Sequence, residues 1–175
     1  HSYAKIVYNM SKSRTASAWV LFGKGGETMR IVVVSDTHGN ARALRQAVLD
    51  QPQAEYIIHL GDGAQDVDDL RVEFPEKTFL QVQGNCDTGC AWPLQERLTV
   101  EGVCIFYTHG HKYNVKQNLI ELKTEARLEG VQVALFGHTH VPMMEYAGGV
   151  YLMNPGSLEF HQVSAGKGSY GVLEI

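Results

Sequence analysis

The stretch Ile31-Val32-Val33-Val34-Ser35-Asp36-Thr37-His38 decides the reading of the chain. Four consecutive apolar residues mark a buried strand. The run then breaks onto a carboxylate and, two residues later, an imidazole. In layered α/β folds, ligand sites form outside the carboxyl ends of strands. Asp36 and His38 therefore stand where chemistry is expected.

Working outward, the same figure recurs four times. Residues 56–60 read as a second strand and run into Gly61-Asp62. Residues 78–82 read as a third and lead to Gly84-Asn85. Residues 97–101 and 103–108 read as a hairpin about Gly102 whose second arm ends at His109, and residues 133–136 run into Gly137-His138-Thr139-His140. Between them, Asn40 caps a helix over residues 40–51 with Leu44, Ala47 and Val48 at core spacing. A short acidic helix fits residues 64–74, and a longer one opens at Asn114 and runs through Leu128 to a stop at Gly130. Residues 143–146, 150–153 and 170–175 read as further strands, with Gly148-Gly149 as a hairpin turn. The alternation of apolar and amphipathic segments is that of strands and helices stacked in layers.

Seven side chains thus end five strands: Asp36, His38, Asp62, Asn85, His109, His138 and His140. In extended backbone, Asp36-x-His38 and His138-x-His140 would place both members on one side. Gly61, Gly84 and Gly137, lacking Cβ, would permit a sharp exit and a close backbone approach. Imidazole, carboxylate and one carboxamide, with no thiolate, suit manganese, iron, nickel or zinc. Seven donors exceed the needs of one tetrahedral ion and match two ions sharing a carboxylate, about 3.5 to 4 Å apart.

These ordered blocks resemble the signature of calcineurin-like metallophosphoesterases. Ser-Asp-Thr-His-Gly-Asn at 35–40, Gly-Asn-Cys-Asp at 84–87 and Asn154-Pro155-Gly156-Ser157 are similar to the small bacterial and archaeal phosphodiesterases of that superfamily. The resemblance implies a four-layer αββα sandwich of two mixed β-sheets flanked by helices. It implies one divalent ion on Asp36, His38, Asp62 and His140, and a second on Asp62, Asn85, His109 and His138, with Asp62 as the bridge. Manganese leads the candidates, ahead of nickel, iron and zinc. The implied reaction is hydrolysis of a phosphodiester by a hydroxide bridging the ions. The alternatives are a phosphomonoesterase or cyclic-nucleotide enzyme with the same site, or a protein-binding scaffold of the retromer-subunit type, in which ligands are substituted. Here all seven positions hold competent donors. The resemblance also implies a dimer or larger homo-oligomer.

One position departs from the larger phosphatases, where a His follows the Asn and protonates the leaving group. Here Cys86 follows, then Asp87. His111, two residues after His109, is the replacement acid, with an orienting hydrogen bond as its equal alternative. Asn40 is a substrate-binding candidate, although capping alone explains it. His59 reads as a packing residue, His161 has no assigned role, and Asp66, Asp68 and Asp69 read as a solvated helix face.

Composition sets the outer bounds. The chain has 175 residues, 44% hydrophobic and 19% charged, with a net charge of -4, eight His and three Cys. No apolar run approaches the roughly 18 residues of a membrane span. Three cysteines without a CxxC pair give neither a disulfide framework nor a zinc knuckle, and the expected compartment is a reducing cytoplasm. Residues 1–28 hold Lys5, Lys12, Arg14 and Lys24 against Glu27, which leaves -7 on residues 29–175. Strong nucleic-acid binding is not expected of so acidic a body, and a phosphoester substrate would need borrowed positive charge. Residues 1–28 read as an N-terminal extension of unassigned origin before a domain over residues 29–175. The other reading makes a hairpin of residues 5–8 and 18–22.

Overall fold

The computed structural model describes residues 5–10, 14–19, 28–159 and 168–175. Among these, eleven strands form two mixed sheets. The first contains β1 (Lys5–Met10), β2 (Arg14–Trp19), β3 (Arg30–Val34), β4 (Tyr56–His59), β5 (Thr78–Gln81) and β11 (Ser169–Glu174), in the order β2-β1-β11-β3-β4-β5. The second contains β6 (Gln95–Val100), β7 (Val103–Thr108), β8 (Val133–Leu135), β9 (Met143–Ala147) and β10 (Val150–Asn154), in the order β6-β7-β8-β10-β9.

The opening apolar run explains the layering. Ile31 and Val33 point into the space between the sheets, where they meet Ile58, Ile105, Val133, Leu135 and Leu173. Val32 and Val34 point the other way, onto Leu44, Ala47 and Val48 of α1 (Ala41–Leu49) and Leu70 of α2 (Asp68–Glu73). On the far face of the second sheet, Phe106, Ala134 and Leu152 pack against Leu122 and Ala126 of α3 (Ile120–Leu128). Central strands such as β3 and β8 are apolar along almost their whole length because both their faces are covered, and the result is the four-layer αββα sandwich.

Strands β3, β4 and β5 run parallel, with Val34, His59 and Gln81 in register at their carboxyl ends. In the second sheet β7, β8 and β10 run parallel, and Tyr107, Leu135 and Met153 align near theirs. The loops leaving these ends therefore emerge along one edge of the sandwich.

Two expectations need correction. The helix drawn from Asn114 begins only at Ile120. Asn114 instead adopts a left-handed φ of 50° that ends a 3-10 turn at His111–Tyr113, and its amide holds Glu121 across the intervening loop. The N-cap position is Leu119, which offers no side-chain cap, and Asn118, one residue earlier, accepts the Ile120 amide on its Oδ1 at 2.9 Å. The second arm of the N-terminal hairpin is Arg14–Trp19 rather than 18–22, and residues 20–22 lie outside the described residues, as does His161. The first arm, β1, lies antiparallel to β11, with Lys5 opposite Glu174, and β2 flanks it at the sheet edge. No helix among the described residues is long and apolar enough to cross a membrane.

Candidate metal centre

All seven strand-end side chains meet at that edge. His38 Nε2 lies 3.9 Å from Asp36 Oδ1 and 4.0 Å from Asp62 Oδ2, and His140 Nε2 lies 3.0 Å from Asp36 Oδ1. On the other side of Asp62, His109 Nε2 stands 3.4 Å from Oδ2, 3.1 Å from Asn85 Oδ1 and 3.0 Å from His138 Nδ1. Among the described residues three groups have metal-ligand spacing, and two of them, Asp36-His38-His140 and Asp62-His109-His138, are built from these side chains alone. Asp62 Oδ2 faces both.

The backbone route to this convergence is not the extended one expected from i, i+2 spacing. Asp36, His38, Asp62, His138 and His140 all have left-handed φ values, between 45° and 68°. Such backbone is uncommon for residues with a Cβ, and it clusters where surrounding structure over-determines a functional geometry. The glycines act mainly by close approach. A Cβ on Gly84 would meet Asp62 Oδ1 at 2.1 Å, and one on Gly61 would meet the Gly84 amide nitrogen at 2.5 Å.

Each donor is oriented from behind. Asp36 Oδ2 accepts from Ser35 Oγ at 2.5 Å and from the His138 amide at 3.0 Å, which leaves Oδ1 to the cluster. That Oδ1 is buried and, among the described residues, accepts no hydrogen bond of good geometry although His140 Nε2 is close. Asp62 Oδ1 accepts from the Cys86 amide at 2.7 Å, leaving Oδ2 to the cluster. His109 Nδ1 donates to the Leu60 carbonyl at 2.8 Å, which turns Nε2 toward the carboxylates.

Four further groups have roles that the sequence reading did not foresee. Asp87 accepts the amides of Asp62, Gly63 and Gly84 at 2.7 to 2.8 Å, tying two strand ends together. Its only signal was its place in Gly84-Asn85-Cys86-Asp87. Asp66 is not merely a solvated face residue: Oδ2 accepts from Thr37 Oγ1 at 2.5 Å and from the Gly39 amide at 2.9 Å. His59, fully buried, continues this chain with Nε2 3.1 Å from Thr37 Oγ1, while Nδ1 accepts from the Gly61 amide. The expected packing residue thus orders the loops that carry Asp36, His38 and Asp62. Asn154 Nδ2 donates to Gly137 O and Thr139 Oγ1, steadying the His138-Thr139-His140 loop. Asn40 is a cap: Oδ1 accepts from the Ala43 amide and Nδ2 donates to Leu158 O, so both ends of its amide serve the fold.

The carboxylates and imidazoles of the cluster set one another's charge. Burial works to raise the Asp36 and Asp62 carboxyls, yet the facing imidazoles hold both below the ordinary range. Burial likewise opposes charge on His109, but Asp62 and Asp36 carry its pKa upward, and Asp36 does the same for His140. His138 is pushed down to about 4 by burial and by the positive charge of His109 and Lys116. Depressed carboxylates beside raised imidazoles mark ion pairing among the donors themselves, with His138 the ring that is pushed down instead. The orphaned Asp36 Oδ1 and the oxygen and nitrogen donor set fit divalent ions. Cys86 Sγ also falls within ligand range of His38 and Asp62. Burial and the Asp62 carboxylate raise its pKa, which keeps it a protonated thiol and a poor ligand.

With this geometry in hand, the comparisons with known proteins are decisive. The model of the calcineurin-like phosphoesterase superfamily domain matches residues 29–175. The chain belongs to that superfamily. It is 30% identical over 149 residues to the probable metallophosphoesterase YsnB of Bacillus subtilis, covering 84% of this chain and 85% of that one. It is 26% identical over 170 residues to the phosphodiesterase YfcE of Escherichia coli, covering 83% and 88%. A crystal structure of a conserved protein from Streptococcus pneumoniae, described as a predicted phosphoesterase, superposes with a TM-score of 0.74 at 26% identity over 86% of this chain and 85% of that one. Vps29 structures share the fold at 24% identity or less, a likeness of fold alone.

Proposed function

We propose that this superfamily member is a dinuclear-metal-dependent phosphodiesterase. The observation that carries the reading is the position of Asp62 Oδ2 between His38 Nε2 and His109 Nε2, where one carboxylate oxygen serves two donor groups. Asp36, His38, Asp62 and His140 would hold one ion, and Asp62, Asn85, His109 and His138 the other. Two such ions, when bound, would neutralise a phosphoester and bring the ionisation of water toward neutral pH.

The chain's own residues supply order and restraint. Asp87 and the Leu60 carbonyl hold Asp62 and His109 in facing positions. The Ser35 hydroxyl and the His138 amide keep one oxygen of Asp36 turned inward. His111 sits at the rim, its ring centroid 5.4 Å from that of His109 and 6.2 Å from that of His138. Burial, His109 and Lys112 lower its pKa, which leaves the ring mostly neutral at pH 7, and its buried Nδ1 has no hydrogen-bond partner among the described residues. We therefore assign the leaving group no protein acid, so activated aryl esters should react faster than alkyl esters. The relatives named phosphodiesterase support a diester as substrate. Manganese is our choice of resident ion, with nickel, iron and zinc behind it, and a small cytoplasmic phosphoester is our choice of substrate class.

The test is hydrolysis of bis-p-nitrophenyl phosphate and of the monoester across a panel of divalent ions, with Asp62→Ala and His138→Ala as controls. The proposal expects metal-dependent diester hydrolysis that both substitutions abolish. A folded, metal-binding protein inert toward every ester would support the scaffold reading instead.

A further inference from the structure

Glu159 has no part in the site as read so far, yet its position is built. The Leu158 and Glu159 amides donate to the carbonyls of Ser35 and Asp36 at 3.1 Å each. Ser157 Oγ donates to the Asp36 carbonyl at 2.8 Å, and Asn40 Nδ2 holds the Leu158 carbonyl at 2.9 Å. This chain segment is zipped to the backbone that presents Asp36.

The Glu159 carboxylate consequently stands at the mouth of the site. Its Oε2 lies 3.9 Å from His38 Nε2 and 3.8 Å from His140 Nδ1. With Thr37, His38, Gly39 and Asn40 the side chain lines an open cavity of about 360 Å³. His38 Nε2 is thus ringed by three carboxylates at 3.9 to 4.0 Å, those of Asp36, Asp62 and Glu159. The first two are buried, whereas Glu159 keeps 36% of its side chain exposed on the approach to the cluster.

Resting on the phosphoesterase reading, we propose that Glu159 is a specificity residue that discriminates substrates by charge. A fixed negative group beside the phosphate position opposes a dianion, such as a phosphomonoester or inorganic phosphate, about twice as strongly as a singly charged diester. Partial exposure screens the effect, which places the discrimination at about tenfold rather than the thousands expected of a buried pair. The same repulsion speeds release of dianionic products.

The experiment compares the full-length wild type, Glu159→Gln and Glu159→Asp, each loaded with manganese. Calorimetry gives the number and affinity of bound ions. Steady-state kinetics gives kcat/KM for bis-p-nitrophenyl phosphate and for p-nitrophenyl phosphate, and the inhibition constant of inorganic phosphate. The proposal expects Glu159→Gln to bind the same ions, to shift the monoester-to-diester ratio about tenfold toward the monoester, and to bind phosphate about tenfold more tightly. Glu159→Asp, which keeps the charge, should retain the wild-type preference. An unchanged ratio and phosphate affinity in Glu159→Gln overturn the proposal, and so does loss of an ion, which would make Glu159 a ligand. Wild-type protein that binds metal but hydrolyses neither ester overturns the phosphoesterase reading itself, a distinct failure.

Discussion

Adding one carbon at Gly84 should disable the site without unfolding the protein. A Cβ there would lie 2.1 Å from Asp62 Oδ1, 2.4 Å from its amide nitrogen and 2.8 Å from Cγ. Ordinary contact begins near 3.4 Å, so Asp62 and residue 84 must separate by about 1.3 Å. Asp62 has little room to yield, because Oδ1 is held by the Cys86 amide and its own amide by Asp87, both at 2.7 Å. The carboxylate must swing away from His38 and His109. A misplacement of about 1 Å costs on the order of 10²-fold in rate, and overpacking costs about 1 to 3 kcal/mol in stability. Gly102→Ala is the control: Gly102 has φ +79° but nothing within 4 Å of its added Cβ. That variant should lose about 1 kcal/mol to backbone strain and keep its activity. Metal-dependent diester hydrolysis and thermal unfolding of both variants decide the matter. Gly84→Ala with near wild-type turnover would refute the reasoning, because it would show that Asp62 need not hold its observed place.

The remaining predictions concern the supporting groups. Burial pushes the His59 ring from the ordinary 6.5 down to about 4, so between these values the unfolded chain binds a proton that the folded one does not. Stability should therefore fall as pH drops through that window, by about 3 kcal/mol in all. Chemical denaturation at several pH values should show this loss in the wild type and a flatter profile in His59→Gln. Asp87→Ala leaves the three amides of Asp62, Gly63 and Gly84 without their acceptor. It should cost on the order of 3 kcal/mol and weaken metal uptake, with Asp87→Asn intermediate by calorimetry. His111→Ala should change the rates of aryl and alkyl diesters by similar factors, since a neutral ring does not protonate the leaving group; a loss confined to alkyl esters would restore it as the acid.

Much of this site was legible because apolar runs that end abruptly in ligand-type residues report strand ends, and strand ends in layered folds share an edge. Asn40 announced itself equally well, since a carboxamide before an amphipathic segment has a defined capping chemistry. The left-handed backbone at Asp36, His38, Asp62, His138 and His140 was not legible. None of these residues is glycine, and only the surrounding contacts force the conformation. Asp87, Asp66 and His59 were misjudged or passed over because their partners are amides and hydroxyls from distant loops, and local periodicity carries no trace of those. The helix expected from Asn114 failed for a related reason. The same Asn that can open a helix also tolerates the left-handed conformation that interrupts one, and here Gly110 and Asn114 bracket a tight turn beneath His109.

The central claim is that Asp62 joins two metal positions into one centre. Equilibrium dialysis against manganese followed by elemental analysis tests it most directly, applied to the wild type, Asp62→Ala and His138→Ala. The account predicts two ions per chain in the wild type, one in His138→Ala, and loss of both tight sites in Asp62→Ala. A single ion in the wild type, or two ions that persist without the Asp62 carboxylate, would contradict it.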